Sequence, residues 1–207
     1  MNLKKPLVGV TGIIGSGKST VADLFDKMDC VVFNSDAMVR NITQEPETLQ
    51  EIQKEFGTEI LTSTSQLDRE KMAQLVFKDP SELKKLNQII HPKVRERMWK
   101  FVEMNELDFY VKMNIIDSPL IYETDLHKFL DVIVVVNSPK EQCVERVKKR
   151  NNLSRREILD RMSKQIPLEN KVKLADFVIN NDKNIEDLNE QVAQVYKQII
   201  SQWSFNP

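Results

Sequence analysis

The spacing of apolar residues changes several times along the chain and predicts alternating strands and helices. A continuous apolar run at residues 7–10 is typical of a buried strand. After the segment 12–20, apolar residues recur at three- and four-residue spacing, which predicts a helix with an inner face of Val21, Leu24, Phe25 and Met28. Further apolar runs predict strands at residues 30–33, 109–117, 131–137 and 175–180. This alternation favours an α/β fold, with a five-stranded parallel sheet flanked by helices.

Residues 45–107 interrupt the alternation, because they show helical spacing with little strand signal. One helix is expected to stop at Gly57, since glycine is common just past a helix end. Ser81 is suited to cap a later helix, and the His91-Pro92 pair is expected to close it, because proline lacks the amide that a helix needs. A further helix follows, and the last helix of the chain is predicted from about residue 185.

The segment between the first strand and the first helix contains a complete G-x-x-x-x-G-K-[ST] motif. Its glycines let backbone N–H groups curve around phosphate oxygens, and the following helix adds the positive end of its dipole. Lys18 would reach the β- and γ-phosphates, and the Ser19 hydroxyl would ligate magnesium. Four of the five glycines lie between positions 9 and 17, which indicates a backbone with special conformational needs. The residues predicted to bind nucleotide are Gly12, Ile14, Gly15, Ser16, Gly17, Lys18, Ser19 and Thr20.

Composition and charge give no indication of a nucleic-acid-binding, membrane or secreted protein. A formal net charge of -1 gives no general attraction to nucleic acid or to a membrane surface. Cys30 and Cys143 are far apart and are typical of reduced residues of a cytosolic protein. The N-terminus enters the first strand directly, so no signal peptide is predicted, and the longest β-rich run, residues 132–136, is far shorter than the ~20 residues of a membrane helix. We therefore expect a cytoplasmic protein with no nucleic-acid, membrane or obligate protein partner.

Two aspartates lie at or just after the carboxyl ends of predicted strands, at the edge of the sheet where α/β folds bind their ligands. Asp117 ends the third predicted strand, and a carboxylate there can hold magnesium, often through water, as a Walker B aspartate does. Asp36 follows the second strand and has two interpretations, since it either caps the helix 37–42 or serves as a catalytic carboxylate. The chemistry of this residue alone leaves both open.

Residues 140–164 are unusually basic, with nine Lys and Arg residues against four Asp and Glu residues, a local balance of +5. Ser154 and Glu157 follow the capping-box pattern, which predicts a helix, a turn and a second helix. Most of the lysines are expected on a solvated face. Arg146 and Arg150 are one helical turn apart and could both point toward phosphates, which guanidinium groups bind in bidentate fashion. We interpret the segment as a basic lid over a nucleotide.

Other segments narrow the class of phosphate-loop protein. A GTPase switch needs an Asp-x-x-Gly segment, but Gly57 is the only glycine outside the N-terminal cluster and Lys54 stands three residues before it. Motor and transporter ATPases usually show Asp-Glu at a strand end, whereas Asp117 is followed by Ser118. A small phosphotransferase remains, in which an acceptor hydroxyl attacks the γ-phosphate of ATP and Asp36 is the candidate base by its position. Two alternatives stay open: a nucleotide or nucleoside kinase, and a non-catalytic nucleotide-binding module.

A set of short elements then occurs in order along the chain. They are residues 10–22, Asp36-Ala37, Phe56-Gly57, Leu67-Asp68-Arg69, Val76-Phe77, His91-Pro92, residues 119–123, the four-spaced Gln142, Arg146 and Arg150, Arg161 with Gln165, Ala175-Asp176, and Asn180 or Asn181. In this order they resemble the dephospho-CoA kinase family. Departures from the family pattern are Ile13 at a usual glycine, Ser65-Gln66 for Asp-Gly, and Ile121-Tyr122 for Leu-Phe.

The resemblance implies ATP-dependent phosphorylation of the ribose 3'-hydroxyl of dephospho-coenzyme A, with Mg2+ as cofactor. It implies Asp36 as general base and Arg146 or Arg150, beside Lys18, as charge-stabilising residues. The residues predicted to bind the acceptor are Asp36, Arg69, His91, Leu120, Glu123 and Arg161, although His91 could simply end a helix. The predicted domains are a nucleotide-binding core of residues 1–44, 108–138 and 166–207, a helical acceptor-binding insertion at 45–107, and a lid at 139–165.

Overall fold

The chain forms two compact units in this computed structural model, which describes residues 5–151 and 153–204, with Phe77 and Ser204 described by their backbones only. The Phe77 side chain of the Val76-Phe77 element therefore lies outside the described residues. The smaller unit is Ser35–Phe101, and the larger comprises the described residues before and after it. The predicted core, insertion and lid are functional divisions and stay predictions.

A parallel sheet of five strands forms the centre of the larger unit, as the sequence predicts. The strands are β1 (Leu7–Thr11), β2 (Cys30–Asn34), β3 (Met113–Asp117), β4 (Val132–Asn137) and β5 (Phe177–Asn180), in the spatial order β2-β3-β1-β4-β5. Since β1 lies at the centre and all strands run the same way, their carboxyl ends meet at one edge around the loop after β1.

Nine α-helices lie between or after the strands within the described residues. They are α1 (Lys18–Asp26), α2 (Ser35–Ile42), α3 (Pro46–Phe56), α4 (Arg69–Lys78), α5 (Pro80–Glu106), α6 (Lys140–Asn151), α7 (Arg155–Ser163), α8 (Leu168–Lys173) and α9 (Ile185–Ser204), with a 3-10 turn at Leu126–Phe129. The core of the larger unit joins apolar side chains of the sheet to those of α1 and α9. Phe25 of α1 and Val192 of α9 are fully buried in this cluster, so both helices use the inner faces that their spacing predicts.

The predicted strand at residues 109–117 is four residues too long at its start. Phe109 and Tyr110 are exposed, and β3 begins only at Met113. Asp108 explains the difference, because its side-chain Oδ1 accepts a hydrogen bond from the Tyr110 amide at 2.9 Å and its carbonyl accepts one from the Val111 amide at 3.2 Å. These bonds fold the segment into a turn, which an aspartate side chain commonly stabilises.

The smaller unit confirms the helix stop at Gly57 and corrects two other predictions. The helix after Lys78 is capped by Asp79 and not by Ser81, since the Ser81 amide donates to Asp79 Oδ1 at 2.7 Å and Pro80 takes the first helical position. The His91-Pro92 pair does not end this helix either, because α5 continues through Pro92 to Glu106. Buried apolar side chains on both sides of the proline offset the roughly 3 kcal/mol cost of a proline inside a helix.

Candidate functional site

The loop between β1 and α1 has the backbone that a phosphate-binding loop requires. Gly15 and Gly17 both adopt positive φ, at 82° and 95°, where residues with a side chain are strained. A Cβ atom on Gly15 would lie 2.4 Å from the carbonyl oxygen of Cys143, and one on Gly17 would lie 2.0 Å from Asn181 Nδ2. Gly15 therefore needs glycine for space as well as for conformation, because a backbone oxygen blocks its Cβ, whereas Gly17 needs it for conformation.

Two polar side chains that are distant in the sequence hold this loop in place. Asn181 Nδ2 donates to the carbonyl of Ser16 at 2.8 Å, and Gln165 Oε1 accepts from the Ile14 amide at 2.9 Å. Ile13 packs into an apolar cluster with side chains of α6 and α7. The loop is thus fixed before any ligand binds, which lowers the entropy lost on binding.

The two basic residues singled out on α6 have different surroundings. Arg146 Nη1 donates to Ser138 Oγ at 2.9 Å and to the Ser16 carbonyl at 3.4 Å, and its Nη2 donates to the Asn181 carbonyl at 3.0 Å. Arg150 is exposed and donates through Nε to Asn151 Oδ1 at 2.8 Å. The structure therefore brings Arg146 to the phosphate loop and Arg150 to its own neighbour, and a phosphate-binding role for either stays a prediction.

A carboxylate lies at the mouth of the same loop. The strand register pairs Asp117 with Val10 of β1 and with Asn34 of β2, so this residue sits between both strands at their carboxyl ends. Only 4% of Asp117 is exposed, and its Oδ2 accepts from Asn34 Nδ2 at 2.9 Å and lies 3.5 Å from Ser19 Oγ. A hydroxyl and a carboxylate oxygen thus meet beside the residues predicted to bind phosphate.

These two oxygens suit magnesium. Magnesium prefers oxygen ligands, keeps several waters and takes only one or two protein ligands when phosphates supply the rest. In the described residues, no group of three or more His, Cys, Asp or Glu side chains is placed to hold a metal. Ser19 and Asp117 are therefore the candidate magnesium ligands in the larger unit.

The loop that follows β3 is held by a buried lysine that the sequence analysis missed. Glu123 Oε1 lies 2.8 Å from Lys171 Nζ and accepts from the Ile166 amide at 2.9 Å. Lys171 is fully buried and also donates to the Pro119 carbonyl at 2.7 Å. Leu120 of the same loop is 38% exposed. Glu123 and Lys171 are 48 positions apart, so no local pattern connects them.

The remaining predicted residues lie on helices. Asp36 is exposed and lies in the first turn of α2, which begins at Ser35, so it does not cap that helix and this interpretation is wrong. Arg69 donates to the Arg40 carbonyl at 3.1 Å. His91 lines a cavity of about 510 Å³ on α5, and burial and then the charge of Arg95 lower its pKa. Arg161, in contrast, is exposed in the last turn of α7 in the larger unit.

The fold and this site together define a P-loop kinase, since a central parallel strand leads into a phosphate loop and a hydroxyl and a carboxylate meet at its mouth. Comparison with known families gives the finer assignment. The family model described as CoaE, dephospho-CoA kinase, matches residues 6–187. The chain therefore belongs to the dephospho-CoA kinase family.

Individual relatives agree with this assignment. A dephospho-CoA kinase of Leptospira interrogans is 36% identical over 196 residues, which cover 94% of this chain and 93% of the relative. A dephospho-CoA kinase of Bacillus anthracis is 37% identical, with 92% of this chain and 96% of the relative covered.

Solved structures show the same fold. The crystal structure of TT1252 from Thermus thermophilus has a TM-score of 0.83 and 34% identity, and covers 94% of this chain and 97% of its own. The dephospho-CoA kinase from Campylobacter jejuni has a TM-score of 0.62 and 25% identity, and covers 95% and 98% of the two chains. None of the helices in the described ranges combines the length and apolarity of a membrane span.

Proposed function

We propose that this chain transfers the γ-phosphate of ATP to the ribose 3'-hydroxyl of dephospho-coenzyme A, giving coenzyme A and ADP. Membership of the family makes it a dephospho-CoA kinase, a phosphotransferase that uses ATP. The observation that carries the chemical proposal is the meeting of Ser19 Oγ and Asp117 at the mouth of a preformed phosphate loop. Neither a nucleotide or nucleoside kinase nor a non-catalytic module is favoured by the family match.

Charge neutralisation on the triphosphate is the first requirement of this reaction. Amides of the phosphate loop other than those of Ile14 and Ser16, which donate to Gln165 Oε1 and to the Ile13 carbonyl, would bind the β- and γ-phosphates together with the amino terminus of α1. Lys18 would contact the same oxygens. Ser19 Oγ and Asp117, the latter through water, would hold a Mg2+ ion that adds positive charge to the phosphates. Arg146 borders the loop and is the better supported of the two arginines for the developing charge, and Arg150 remains the second candidate.

Asp36 is proposed as the general base. It follows the last residue of β2 by two positions and its carboxylate is exposed, so it is accessible to a substrate. The acceptor hydroxyl would give its proton to Asp36 while its oxygen bonds to the γ-phosphorus, and the bond from that phosphorus to the β-phosphate oxygen breaks. The electron pair of the broken bond leaves with ADP.

The residues proposed to bind the acceptor are those that the family resemblance implies. Arg69 and His91 of the smaller unit, and Leu120, Glu123 and Arg161 of the larger unit, remain the candidates, with residues 45–107 as acceptor-binding insertion and 139–165 as lid. We also propose a cytoplasmic location. Support for it is that Cys30 and Cys143 are buried free thiols, as in a reducing compartment.

An acceptor panel tests the proposal. The protein is mixed with ATP, Mg2+ and, separately, dephospho-coenzyme A, nucleoside monophosphates or nucleosides, and ADP release is followed. ADP release with dephospho-coenzyme A, and formation of coenzyme A by mass spectrometry, is the expected result. Release with a nucleoside or its monophosphate instead, or no release with any acceptor, would contradict the proposal. Lys18→Ala serves as the inactive control.

A further inference from the structure

A cavity of the larger unit lies next to the phosphate loop. It has a volume of about 730 Å³, within the roughly 300–1,000 Å³ range of small-molecule sites. Its lining comes from Ile13, the end of β4, the start of α6 and the helices α7 and α8. No described lining residue contributes a side chain that the proposed reaction uses. The cavity is therefore not explained by the function proposed above.

Apolar side chains form much of the cavity wall. Leu159 and Met162 of α7 pack with Ile13 in one apolar cluster, and Val172 of α8 belongs to another. Leu168 packs against both clusters. An aliphatic ligand body would lose its contact with water here, and each methylene that it buries adds about fourfold in affinity.

The uncharged polar side chains of the wall are bonded to the protein itself. Ser138 Oγ donates to a protein carbonyl at 2.9 Å and accepts from Arg146 Nη1 at 2.9 Å, and only 3% of this residue is exposed. Gln165 Oε1 accepts from an amide of the phosphate loop at 2.9 Å. Asn137 and Ser163 also donate to protein oxygens. Because these groups are engaged, the wall favours an apolar ligand group over a polar one.

Two lysines give the cavity a positive character. Lys140 and Lys173 are exposed lining residues, and neither forms an ion pair with an acid of the described chain. Glu141, the acid next to Lys140 in the sequence, is paired with Arg155 at 2.7 Å. Glu169 is the acidic residue among the described lining residues, so two positive charges face one negative charge. A single anionic group on a ligand would balance them.

We propose that this cavity binds a small carboxylate with an aliphatic body, of the kind that a medium-chain fatty acid presents. The aliphatic chain would pack against Ile13, Met162 and Leu168, and the carboxylate would be attracted to Lys140 and Lys173. Binding of such a ligand requires neither ATP nor an acceptor, so it does not depend on the proposed function.

Four matched probes give the first test: octanoate, hexanoate, 1-octanol and octylammonium. Each is titrated into the full chain while the methyl groups are followed by ¹H–¹³C NMR, and shifts should centre on Ile13, Leu159 and Met162. Octanoate should bind about tenfold or more tighter than hexanoate, since it buries two more methylenes. It should bind about three- to tenfold tighter than 1-octanol, because exposed ion pairs add modest attraction, and octylammonium should bind more weakly still. Equal affinity for octanoate and octylammonium, or shifts centred elsewhere, would overturn the proposal.

Exchange of the two lysines tests the source of the preference for an anion. In Lys140→Gln combined with Lys173→Gln, the affinity for octanoate should fall to that for 1-octanol, and the affinity for 1-octanol should stay as in the wild type. Both side chains are exposed, so the variant is expected to fold. Lys148→Gln removes an exposed lysine of α6 that does not line the cavity and is the matched control. An octanoate preference that survives in the double variant, or that is lost equally in Lys148→Gln, would show that the cavity lysines do not bind the carboxylate.

Titration of octanoate with and without saturating MgATP separates the cavity from the nucleotide site. The Kd of octanoate should agree within about twofold, since no lining side chain is assigned to ATP. Displacement of octanoate by MgATP would assign the cavity to the nucleotide and overturn the proposal. A lack of turnover with dephospho-coenzyme A, in contrast, would overturn the proposed function alone, because octanoate binding is measured without the reaction.

Discussion

Gly15→Ala is predicted to damage ATP binding through one added methyl group. Gly15 has a φ of 82°, and its new Cβ would lie 2.4 Å from the Cys143 carbonyl oxygen and 2.8 Å from Val147 Cγ2. The carbonyl belongs to α6 and cannot rotate away, so the loop itself must move by more than half an ångström to reach an acceptable distance. Displaced amides no longer point at the phosphate oxygens.

The expected effect is about a hundredfold loss of ATP affinity, or ~2.7 kcal/mol, since misplacement of about 1 Å has effects of that size and each tenfold corresponds to ~1.36 kcal/mol. Isothermal titration with MgATP measures the affinity, and urea unfolding followed by circular dichroism measures the free energy of unfolding. A positive φ should add a stability loss of about 1–2 kcal/mol for the alanine.

Gly57→Ala is the matched control. Gly57 has nearly the same φ, 85°, but its added Cβ would meet the end of the flexible Glu59 side chain, which can move. We expect a stability loss of about 1–3 kcal/mol and an ATP Kd within about twofold of wild type. Wild-type ATP affinity in Gly15→Ala, or an equal affinity loss in Gly57→Ala, would show that the clash at Gly15 does not control ATP binding.

Three further predictions concern the other groups of the site. Asp36→Asn should lower turnover by about 10²–10⁴-fold with the ATP Kd preserved, and unchanged turnover would remove Asp36 as the base. Asp117→Asn should weaken MgATP binding about tenfold and leave ATP binding in EDTA unchanged, which titrations with and without the metal compare. Burial lowers the pKa of His91 in the folded protein, so the unfolded chain binds a proton first as the pH falls. The contribution of the neutral ring to stability is therefore fully present above pH 6.5. It is lost as the pH falls from 6.5 to the lowered pKa. Urea unfolding at several pH values should show this loss in the wild type and not in His91→Asn; an identical pH dependence would contradict it.

Local patterns accounted for the parts of the fold that depend on neighbouring residues. The phosphate loop follows from the spacing of its glycines and Lys18, and the capping box of α7 follows from Ser154 and Glu157, which bond each other as expected. The five strands were visible because each is a short apolar run. Boundaries were less accurate where a side chain decides the backbone path, as Asp108 does before β3.

Features that depend on distant residues were not predictable from one sequence. Pro92 is a strong local signal for a helix end, yet burial of Ile90 and Met98 on either side outweighs it. Arg146 and Arg150 are equivalent by spacing, and only the positions of Ser16 and Asn181 distinguish them. The pairing of Lys171 with Glu123 likewise needs the folded chain, because nothing in the sequence next to Lys171 marks this lysine as buried.

In the reaction proposed for this chain, the loop after β1 binds ATP, and the terminal phosphate passes to the 3'-hydroxyl of dephospho-coenzyme A. The most direct measurement uses ATP labelled in the γ-phosphate, with dephospho-coenzyme A and Mg2+, and locates the label by phosphorus NMR and mass spectrometry. We expect label on the ribose 3'-oxygen of the product with the wild type and almost none with Lys18→Ala. Label on another oxygen, or equal labelling by both proteins, would contradict it.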